Sequence, residues 1–410
     1  MSIDAGDTAW VLVAAGLVML MTPALGLFYG GMVQGKNVLS TFMHSFFALG
    51  LVSVQFAIIG YSLCFGPTWH GVIGGFDFFG LSGVDDTAVS ADVHIPQLAF
   101  VAYQCMFAVI TPALISGAYA ERMKFSTYAV FTLAWTTLVY DPIAHWAWGP
   151  GGWLGKLGAI DFAGGTVVHL SSGASALICA LVLGKRRGYP TVRHPPHDLT
   201  MTIVGAGLLW FGWFGFNAGS ALGANSLAAR ALINTHLAAA AGALTWVLFE
   251  GARIKKVTML GLASGLVAGL VAITPAAGFV SPMSALVIGG IAGLVCYGAV
   301  LAKGKLGYDD SLDAFGVHGV GGATGALLTG LLARAVDNKG LGGGLELAGK
   351  QLIAIGAVAA WAAVATFVLL KVLDLVLGLK VDAETEHDGL DGVLHGESAY
   401  GSPSGAAHGT

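Results

Sequence analysis

Two histidines lie inside long apolar stretches of this sequence, and each follows an aspartate. His169 comes eight residues after Asp161 in DFAGGTVVHLSSGASALI, and His318 comes five residues after Asp313 in DAFGVHGVGGATGALLTG. A neutral imidazole has one hydrogen-bond donor and one acceptor, and it exchanges protons near neutral pH. A single histidine in such a stretch often only packs against its neighbours. Two in matching settings predict a shared polar site that holds a small molecule and passes a proton.

Aromatic residues form a second candidate site. Tyr103 and Phe107 are one helical turn apart in one apolar stretch, and Trp148 ends the next. The run WFGWFGFNAGS adds Phe216 and the hydroxyl of Ser220. Because ring faces attract cations, these residues are candidates for a cation-binding cage. Ordinary packing in the core and at the membrane interfaces is the alternative that the residues alone leave open.

The composition indicates that lipid surrounds these sites. Of the 410 residues, 56% are hydrophobic and only 10% are charged, and the mean hydropathy is +0.77. A soluble domain carries about 25% charged residues. The 62 glycines permit the close helix approach that is typical of membrane bundles. The chain is therefore predicted to be an all-α integral membrane protein.

Apolar stretches of about 20 residues recur between short polar breaks, as membrane-spanning helices require. We predict eleven transmembrane helices, at 8–32, 39–65, 96–120, 126–147, 161–183, 199–221, 228–250, 257–275, 282–302, 313–333 and 345–372. The predicted membrane domain is 1–380. A cytoplasmic tail follows at 381–410, and its last eleven or so residues are expected to be disordered.

The second histidine lies five helices after the first, so its helix runs in the opposite direction. At 1.5 Å per residue, His169 lies roughly 12 Å below the outer end of its helix, and His318 lies roughly 8–10 Å above the inner end of its own. Both therefore reach the middle of a bilayer core about 30 Å thick. This arrangement predicts an inverted five-plus-five helix repeat, 8–183 and 199–333, with one extra C-terminal helix at 345–372.

Lysine and arginine orient the predicted helices, because they concentrate in cytoplasmic connections. Fourteen of the 19 fall in one set of connections. They are Lys36, Arg122, Lys124, Lys185, Arg186, Arg187, Arg193, Arg253, Lys255, Lys256, Lys303, Lys305, Lys371 and Lys380. The N-terminus is therefore predicted to lie on the outer side of a cell membrane and the C-terminus on its cytoplasmic side. Termini on opposite sides require an odd number of spans, and eleven satisfies this.

Several motifs together resemble those of one family. DFAGGTVVH, GWFGFNAGS, FGVHGVGG, ITPALISGAYAERMKF and GLDGVLHGESAY are similar to motifs of the ammonium transporters of the Amt/Mep/Rh superfamily, and the match runs from PALGLFYGGMVQGKNVL to about residue 400. The resemblance implies a homotrimer in a lipid bilayer, with one pore per subunit for ammonium or ammonia and methylammonium as an analogue. It implies no enzyme activity, cofactor, metal or nucleic acid. Trp148 and Ser220 favour the Amt branch over the Rhesus branch.

The resemblance also implies roles for individual positions. Phe107, Trp148 and Ser220 would form the outer ammonium site, with Tyr103 beside it, and Phe107 and Phe216 would form a phenylalanine gate. His169 and His318 would line the pore and relay protons. Asp161, Thr166 and Asp313 would stabilise the structure of the vestibule. Asp161 is expected to cap the helix that follows it and not to touch the ion. Tyr103 stands where many members of the family have phenylalanine, which adds a hydroxyl near the outer site.

The chemistry of ammonium suggests a mechanism for such a pore. Ammonium is close to potassium in size, but it donates hydrogen bonds and can lose a proton. An aromatic site concentrates the cation, and a dry pore strongly lowers the pKa of an amine. Ammonia, with or without the proton, then passes the histidines, whereas potassium has no such route.

An ammonium sensor or transceptor that signals to a cytoplasmic partner through the same fold is the alternative function. An enzyme is disfavoured, because no nucleophile motif, phosphate-binding loop or metal-ligand spacing accompanies the histidines.

The tail GLDGVLHGESAY resembles the one that the family folds under its cytoplasmic face, where a PII-type signalling protein docks. The basic loops 185–187 and 253–256 are expected to offer opposite charge to its acidic residues.

Overall fold

The computed structural model describes residues 2–90, 92–192, 194–335, 340 and 342–400. Arg193, which the charge count includes, lies outside these ranges. So does the part of the predicted disordered end that follows residue 400.

Helices make up most of the described chain. In order they are α1 Ala5–Met32, α2 Val38–Phe65, α3 Gln97–Tyr119, α4 125–148, α5 Trp153–Leu157, α6 Gly165–Leu183, α7 Leu199–Gly219, α8 Ser226–Ile254, α9 Met259–Ile273, α10 Pro282–Leu306, α11 Phe315–Leu332, α12 Leu345–Val376 and α13 Ala383–Asp388. Nine of these described helices, all except α4, α5, α9 and α13, are long and apolar enough to cross a membrane. The predicted helical membrane class is therefore confirmed.

Two predicted spans fall on helices outside this set of nine. Helix α4 coincides with the predicted span 126–147 but contains polar residues, and α9 coincides with 257–275 but has only 15 helical residues. Two short antiparallel strand pairs lie between α2 and α3, where the sequence predicts only a long loop. They are β1 Thr68–Trp69 with β2 Ile73–Gly74, and β3 Ala88–Ser90 with β4 Val93–Pro96.

Side-chain caps fix where several helices begin. Asp4 accepts a hydrogen bond from the backbone N–H of Asp7 at the start of α1, and Asp198, Thr258 and Ser281 cap α7, α9 and α10 in the same way. Each cap satisfies an N–H group that has no partner inside its helix. These polar residues stand immediately before apolar runs, which explains why the predicted boundaries lie within a few residues of the observed ones.

Four of the long helices contain a π-helical turn, in which the backbone is wider than in an α-helix. The turns are Phe56–Gly60 in α2, Thr136–Tyr140 in α4, Gly165–Leu170 in α6 and Phe315–Gly319 in α11. Such turns are frequent at functional sites, because they redirect the side chains that they carry. The turns of α6 and α11 carry His169 and His318.

Candidate functional site

The two histidines meet in the interior of the helix bundle. The rings of His169 and His318 lie edge to edge and nearly coplanar, with centroids 5.3 Å apart and planes 19° apart. Their Nδ1 atoms are 3.3 Å apart, so one Nδ1–H donates to the other Nδ1. Both side chains are buried, and the Nε2 atom of His169 has no partner among the described residues. The pair thus retains hydrogen-bonding capacity for a further molecule.

Glycines bring the two histidine helices into backbone contact. A Cβ atom on Gly173 of α6 would lie 2.0 Å from the backbone nitrogen of Gly319 in α11. A Cβ atom on Gly322 of α11 would lie 2.6 Å from the carbonyl oxygen of Gly165 in α6. The contacts are reciprocal, and each glycine stands four residues after the histidine of its own helix. The small residues therefore allow the crossing that places the imidazoles side by side.

The imidazoles line a narrow apolar cavity of about 10 Å³. Its walls are His169 and His318 with Met21, Leu25, Phe28, Ile110, Leu114, Leu209, Trp213, Phe216 and Val267. The indole N–H of Trp213 donates to the Thr274 hydroxyl at 2.9 Å and is therefore already satisfied. A second cavity, of about 50 Å³, begins at His318 and reaches Ser264 and Asp313. Among the described residues that line the narrow cavity, only the histidines offer side-chain polar atoms without a partner.

The aromatic residues form a continuous row that ends at the histidines. Phe107 meets Trp148 edge to face, with centroids 6.0 Å apart and planes at 89°. Phe107 and Phe216 lie face to face at 4.2 Å with a tilt of 30°, and both are fully buried. The next ring in the row is His169, whose centroid is 5.9 Å from that of Phe216. The two phenylalanines therefore lie between Trp148 and the histidines.

The hydroxyl of Tyr103 is occupied by the end of α7. It lies 2.9 and 2.8 Å from the carbonyl oxygens of Gly215 and Phe216, to which it can donate its proton, and 3.2 Å from the Ser220 hydroxyl. Ser220 donates to the Phe216 carbonyl at 2.9 Å. Tyr103 is fully buried, and its ring packs against Phe107 at 5.0 Å. Its hydroxyl thus positions Phe216 and Ser220 and does not face an open site.

Asp161 caps α6. Its carboxylate accepts hydrogen bonds from the backbone N–H groups of Gly164, Gly165, Thr166 and Val167 at 2.7–3.1 Å, and from the Thr166 hydroxyl at 2.5 Å. The backbone carbonyl of Asp161 accepts from the Trp148 indole at 2.9 Å. A residue committed to five donors has no free oxygen for an ion. Asp161 instead fixes both the histidine helix and the outer tryptophan.

The corresponding residue of α11 is Asp310 and not Asp313, which the sequence interpretation had paired with Asp161. Asp310 accepts from the N–H groups of Ala314 and Phe315 at 3.1 and 2.8 Å, and burial raises its pKa to about 6. Asp313 has a φ of 62° and forms an ion pair with Lys303 at 2.5 Å. Asp310 precedes His318 by eight residues, the same spacing as Asp161 and His169. That equal spacing was the signal available in the sequence.

The tail caps the N-terminus of α2 through Asp391. Asn37 stands at the N-cap position of α2 but makes no side-chain bond to that helix. The buried carboxylate of Asp391 accepts instead from the N–H groups of Leu39 and Ser40 at 2.9 and 2.8 Å. The Asn37 side-chain oxygen accepts from the N–H of Leu390 at 2.8 Å. The tail is thus docked by specific hydrogen bonds.

The expected pairing of tail acids with basic loops does not describe this contact. Glu386 forms an ion pair at 3.1 Å with Lys380, the residue immediately before the tail, and accepts from the backbone N–H of Arg187 at 2.6 Å. Over the described part of the chain, no hydrogen bond or ion pair joins the tail to 253–256. Backbone N–H groups, which carry no signal in the charge pattern, take the place of the basic side chains.

A buried ion-pair network centred on Arg186 connects three loops on the face of the protein where the tail docks. The sequence analysis does not predict this network. Arg186 contacts Glu121 at 2.8 Å and Asp309 at 2.8 Å, and all three side chains are buried. Burial raises the pKa of both carboxyls, but the Arg186 guanidinium outweighs it and holds the pKa of Glu121 and of Asp309 below the usual range. The network joins the loops that follow α3 and α6 to the loop that precedes α11.

Known proteins are similar to this chain in sequence and in fold. The sequence pattern of the Ammonium Transporter Family matches residues 9–400. An ammonium transporter of Bacillus subtilis is 50% identical over 401 residues, which cover 96% of this chain and 98% of that protein. The crystal structure of Saccharomyces cerevisiae Mep2 is similar with a TM-score of 0.87 and 39% identity, over 94% of this chain and 89% of that one. A structure described as a sensor Amt protein has the same TM-score at 30% identity, over 94% of this chain and 97% of that one.

Proposed function

Because the chain belongs to the ammonium transporter family, we propose that it captures ammonium at the outer aromatic group, removes a proton and passes ammonia along the histidine pair. It is a multi-pass membrane protein that transports ammonium, and it is not an enzyme. One observation carries the proposed mechanism. Trp148, Phe107, Phe216, His169 and His318 form an unbroken row, with successive ring centroids 6.0, 4.2, 5.9 and 5.3 Å apart.

Capture takes place at Trp148, Phe107 and Ser220. A desolvated cation over such ring faces gains up to ~2 kcal/mol. The Ser220 oxygen can accept a hydrogen bond from ammonium, which potassium cannot supply. Tyr103 acts indirectly, since its hydroxyl holds the α7 end that carries Ser220.

The histidine pair suits ammonia whichever tautomer it adopts. If the Nδ1–H of His169 donates to the Nδ1 of His318, the Nε2 of His169 is an acceptor and the Nε2 of His318 carries a proton. The reverse arrangement exchanges the two roles. The pair therefore always presents one donor and one acceptor, and a proton delivered at one Nε2 can leave at the other.

The dry cavity beyond the gate discriminates between the two cations. An unpaired charge among apolar side chains costs several kcal/mol, and the same burial favours loss of a proton from ammonium. Ammonia then meets only the two imidazoles as polar partners. Potassium cannot become neutral, so it pays the whole cost and is excluded.

We further infer that α4 and α9 also cross the membrane, which gives eleven spans. The polar residues of α4 do not oppose this placement, because Asp141 is fully buried and accepts from Gln55 of α2 at 2.8 Å. The N-terminus then lies on the outer side of the cell membrane and the C-terminus on its cytoplasmic side. Two five-helix repeats of opposite direction, followed by α12, account for the paired features of α6 and α11. These are the eight-residue spacing from a capping aspartate to a histidine, the π-helical turn and the reciprocal glycine contacts.

A homotrimer with one pore per subunit explains an otherwise costly side chain. His236 lies about 15 Å along α8, near the expected bilayer midplane, and is exposed on the isolated chain. Its ring stacks on Trp210 at 5.2 Å. Ionisable residues in spans almost always face protein or water and not lipid. A neighbouring subunit over this face satisfies that requirement.

The tail is the proposed regulatory element. Asp391 caps α2 across more than 350 residues of sequence, so release of the tail leaves the N-terminal amides of that helix unpaired. A PII-type protein that docks on the same face would act on the same contacts. Ammonium transporters of Bacillus subtilis and Mycobacterium bovis are 50% and 47% identical to this chain, so the transport function is preferred to the sensor alternative.

The histidine mechanism is tested by His169→Ala and His318→Ala in proteoliposomes, with ammonium-evoked current and methylammonium uptake as readouts. A hydrogen bond to passing ammonia is worth about 1.5 kcal/mol, so each variant should lose about tenfold in selective flux or admit potassium. His94→Ala, at an exposed position of strand β4, is the matched control and should behave as wild type. Wild-type rates and selectivity in both pore variants would refute the mechanism.

A further inference from the structure

A separate cavity opens on the face where the tail docks. Its volume is about 310 Å³, and it lies between the turn that follows α1, the described residues of the loop 184–198 and the tail helix α13. It shares no lining residue with the two cavities of the transport path. We call it the loop cavity. Lys36, Arg187, His194 and His387 lie on its walls together with two carboxylates, Glu121 and Glu386.

Both carboxylates are already satisfied by groups of the protein. Glu121 accepts from the backbone N–H of Gln34, from the Asn37 side chain and from Arg186, at 2.8, 3.0 and 2.8 Å. Glu386 accepts from the backbone N–H of Arg187 and pairs with Lys380. The acidic residues therefore do not make the loop cavity a cation site, because each oxygen has a donor.

The loop cavity has more hydrogen-bond donors than its own acceptors satisfy. The Gln34 amide nitrogen lies 3.1 Å from the Nδ1 atom of His194. An amide nitrogen only donates, so Nδ1 accepts, and neutral His194 carries its proton on Nε2. That Nε2 atom is buried and has no partner among the described residues. This N–H therefore remains available to donate to an acceptor in the loop cavity.

Two cationic side chains add to this excess. Within the residues that the structure describes, the guanidinium of Arg187 makes no hydrogen bond or ion pair, although its backbone N–H is bonded to Glu386. The Lys36 ammonium contacts the carbonyl of His387 and retains further N–H donors. A guanidinium, an ammonium and an imidazole N–H around one cavity match an acceptor-rich anion.

We propose that the loop cavity binds a phosphate-type oxyanion, held by Arg187, His194 and Lys36. Arginine binds two phosphate oxygens at once, and charge-assisted hydrogen bonds of this kind are about twice as strong as neutral ones. The volume admits inorganic phosphate or the phosphate group of a nucleotide. Because Lys36 and His387 also join the tail to the body of the protein, the bound anion strengthens tail docking. This second effect rests on the proposed regulatory role of the tail, whereas anion binding does not.

Binding is measured by isothermal titration calorimetry on the full chain in nanodiscs at constant ionic strength. Inorganic phosphate and ATP are titrated separately, so that the two arms distinguish the free anion from a nucleotide. Saturable binding of either is expected. Arg187→Gln and His194→Phe should each weaken it at least about tenfold, since each removes a charge-assisted or buried donor.

The matched control is Arg253→Gln, which removes an exposed arginine at the end of α8, outside the loop cavity. It should bind as wild type does. Transport of ammonium without added phosphate should be unchanged in His194→Phe, which separates failure of this site from failure of the pore. No saturable binding by the folded wild-type protein, or equal weakening in the arginine control, would overturn the proposal. Should Arg187→Gln not fold, His194→Phe alone decides.

Discussion

Replacing Gly173 by alanine tests whether the close crossing of α6 and α11 sets the histidine geometry. The added Cβ would lie 2.0 Å from the Gly319 nitrogen and 2.2 Å from its Cα atom. Both atoms belong to the backbone and cannot turn aside as a flexible side chain can. The two helices must therefore move apart.

The required movement follows from the contact distances. Raising the 2.0 Å approach to an ordinary contact of 3.4 Å separates the backbones by about 1.4 Å. The Nδ1 atoms of His169 and His318 are 3.3 Å apart, close to the limit of a hydrogen bond, so a shift of that size breaks it. Forcing an extra methyl group into a packed site typically costs about 1–3 kcal/mol. Gly173→Ala should thus lose stability and the proton-sharing contact together.

The assay pairs thermal unfolding in detergent with ammonium flux in proteoliposomes. We expect Gly173→Ala to unfold several degrees below wild type and to lose most of its selective flux. Gly298→Ala in α10 is the control, because a Cβ atom there meets nothing within 4 Å. If Gly173→Ala matches wild type in both measurements, backbone contact between the two helices is not what positions the histidines.

Three further changes test the outer site, the tail and the ion-pair network. Phe107→Leu combined with Trp148→Leu should raise the methylammonium concentration needed for half-maximal competition by at least about tenfold, since cation–π energy is lost; unaltered competition would exclude aromatic capture. Asp391→Asn should lower the free energy of unfolding by about 1 kcal/mol and expose the tail to protease, because a neutral amide caps α2 less well; equal protease resistance would contradict this. The Arg186 guanidinium lowers the pKa of Glu121, so at low pH the folded chain binds fewer protons at this carboxyl than the unfolded chain does. The stability that the Glu121–Arg186 ion pair contributes is therefore fully present above about pH 4.5 and declines as the pH falls below it. Glu121→Gln should show a shallower decline between pH 5 and pH 3 in melting experiments, and parallel curves would refute the assignment.

The sequence alone determined the class of the protein and the positions of most helices. Apolar length is a local property, and a helix satisfies its own backbone in lipid, so the stretch 39–65 predicts the helix Val38–Phe65 almost residue for residue. The histidines were also identifiable, because an ionisable side chain in a long apolar run is unusual wherever it points. The combined motifs were specific enough to indicate the family.

Local spacing was less reliable at helix starts. Asp313 stands closer to the helical pattern of α11 than Asp310 does, so the pattern favours it as the counterpart of Asp161. A capping carboxylate must reach N–H groups three to five residues ahead, and the backbone decides which residue can do so. With a φ of 62°, Asp313 turns toward Lys303 and leaves the cap to Asp310.

Only the tertiary structure decided which distant groups meet. His169 and His318 are 149 residues apart in the chain, and Asp391 caps an N–H group 352 residues before it. The Glu121–Arg186 ion pair likewise joins residues 65 apart. Such contacts depend on how whole helices cross and on where their ends fall. Those crossings are set by the summed packing of many side chains and glycines, and no spacing within one segment of sequence encodes them.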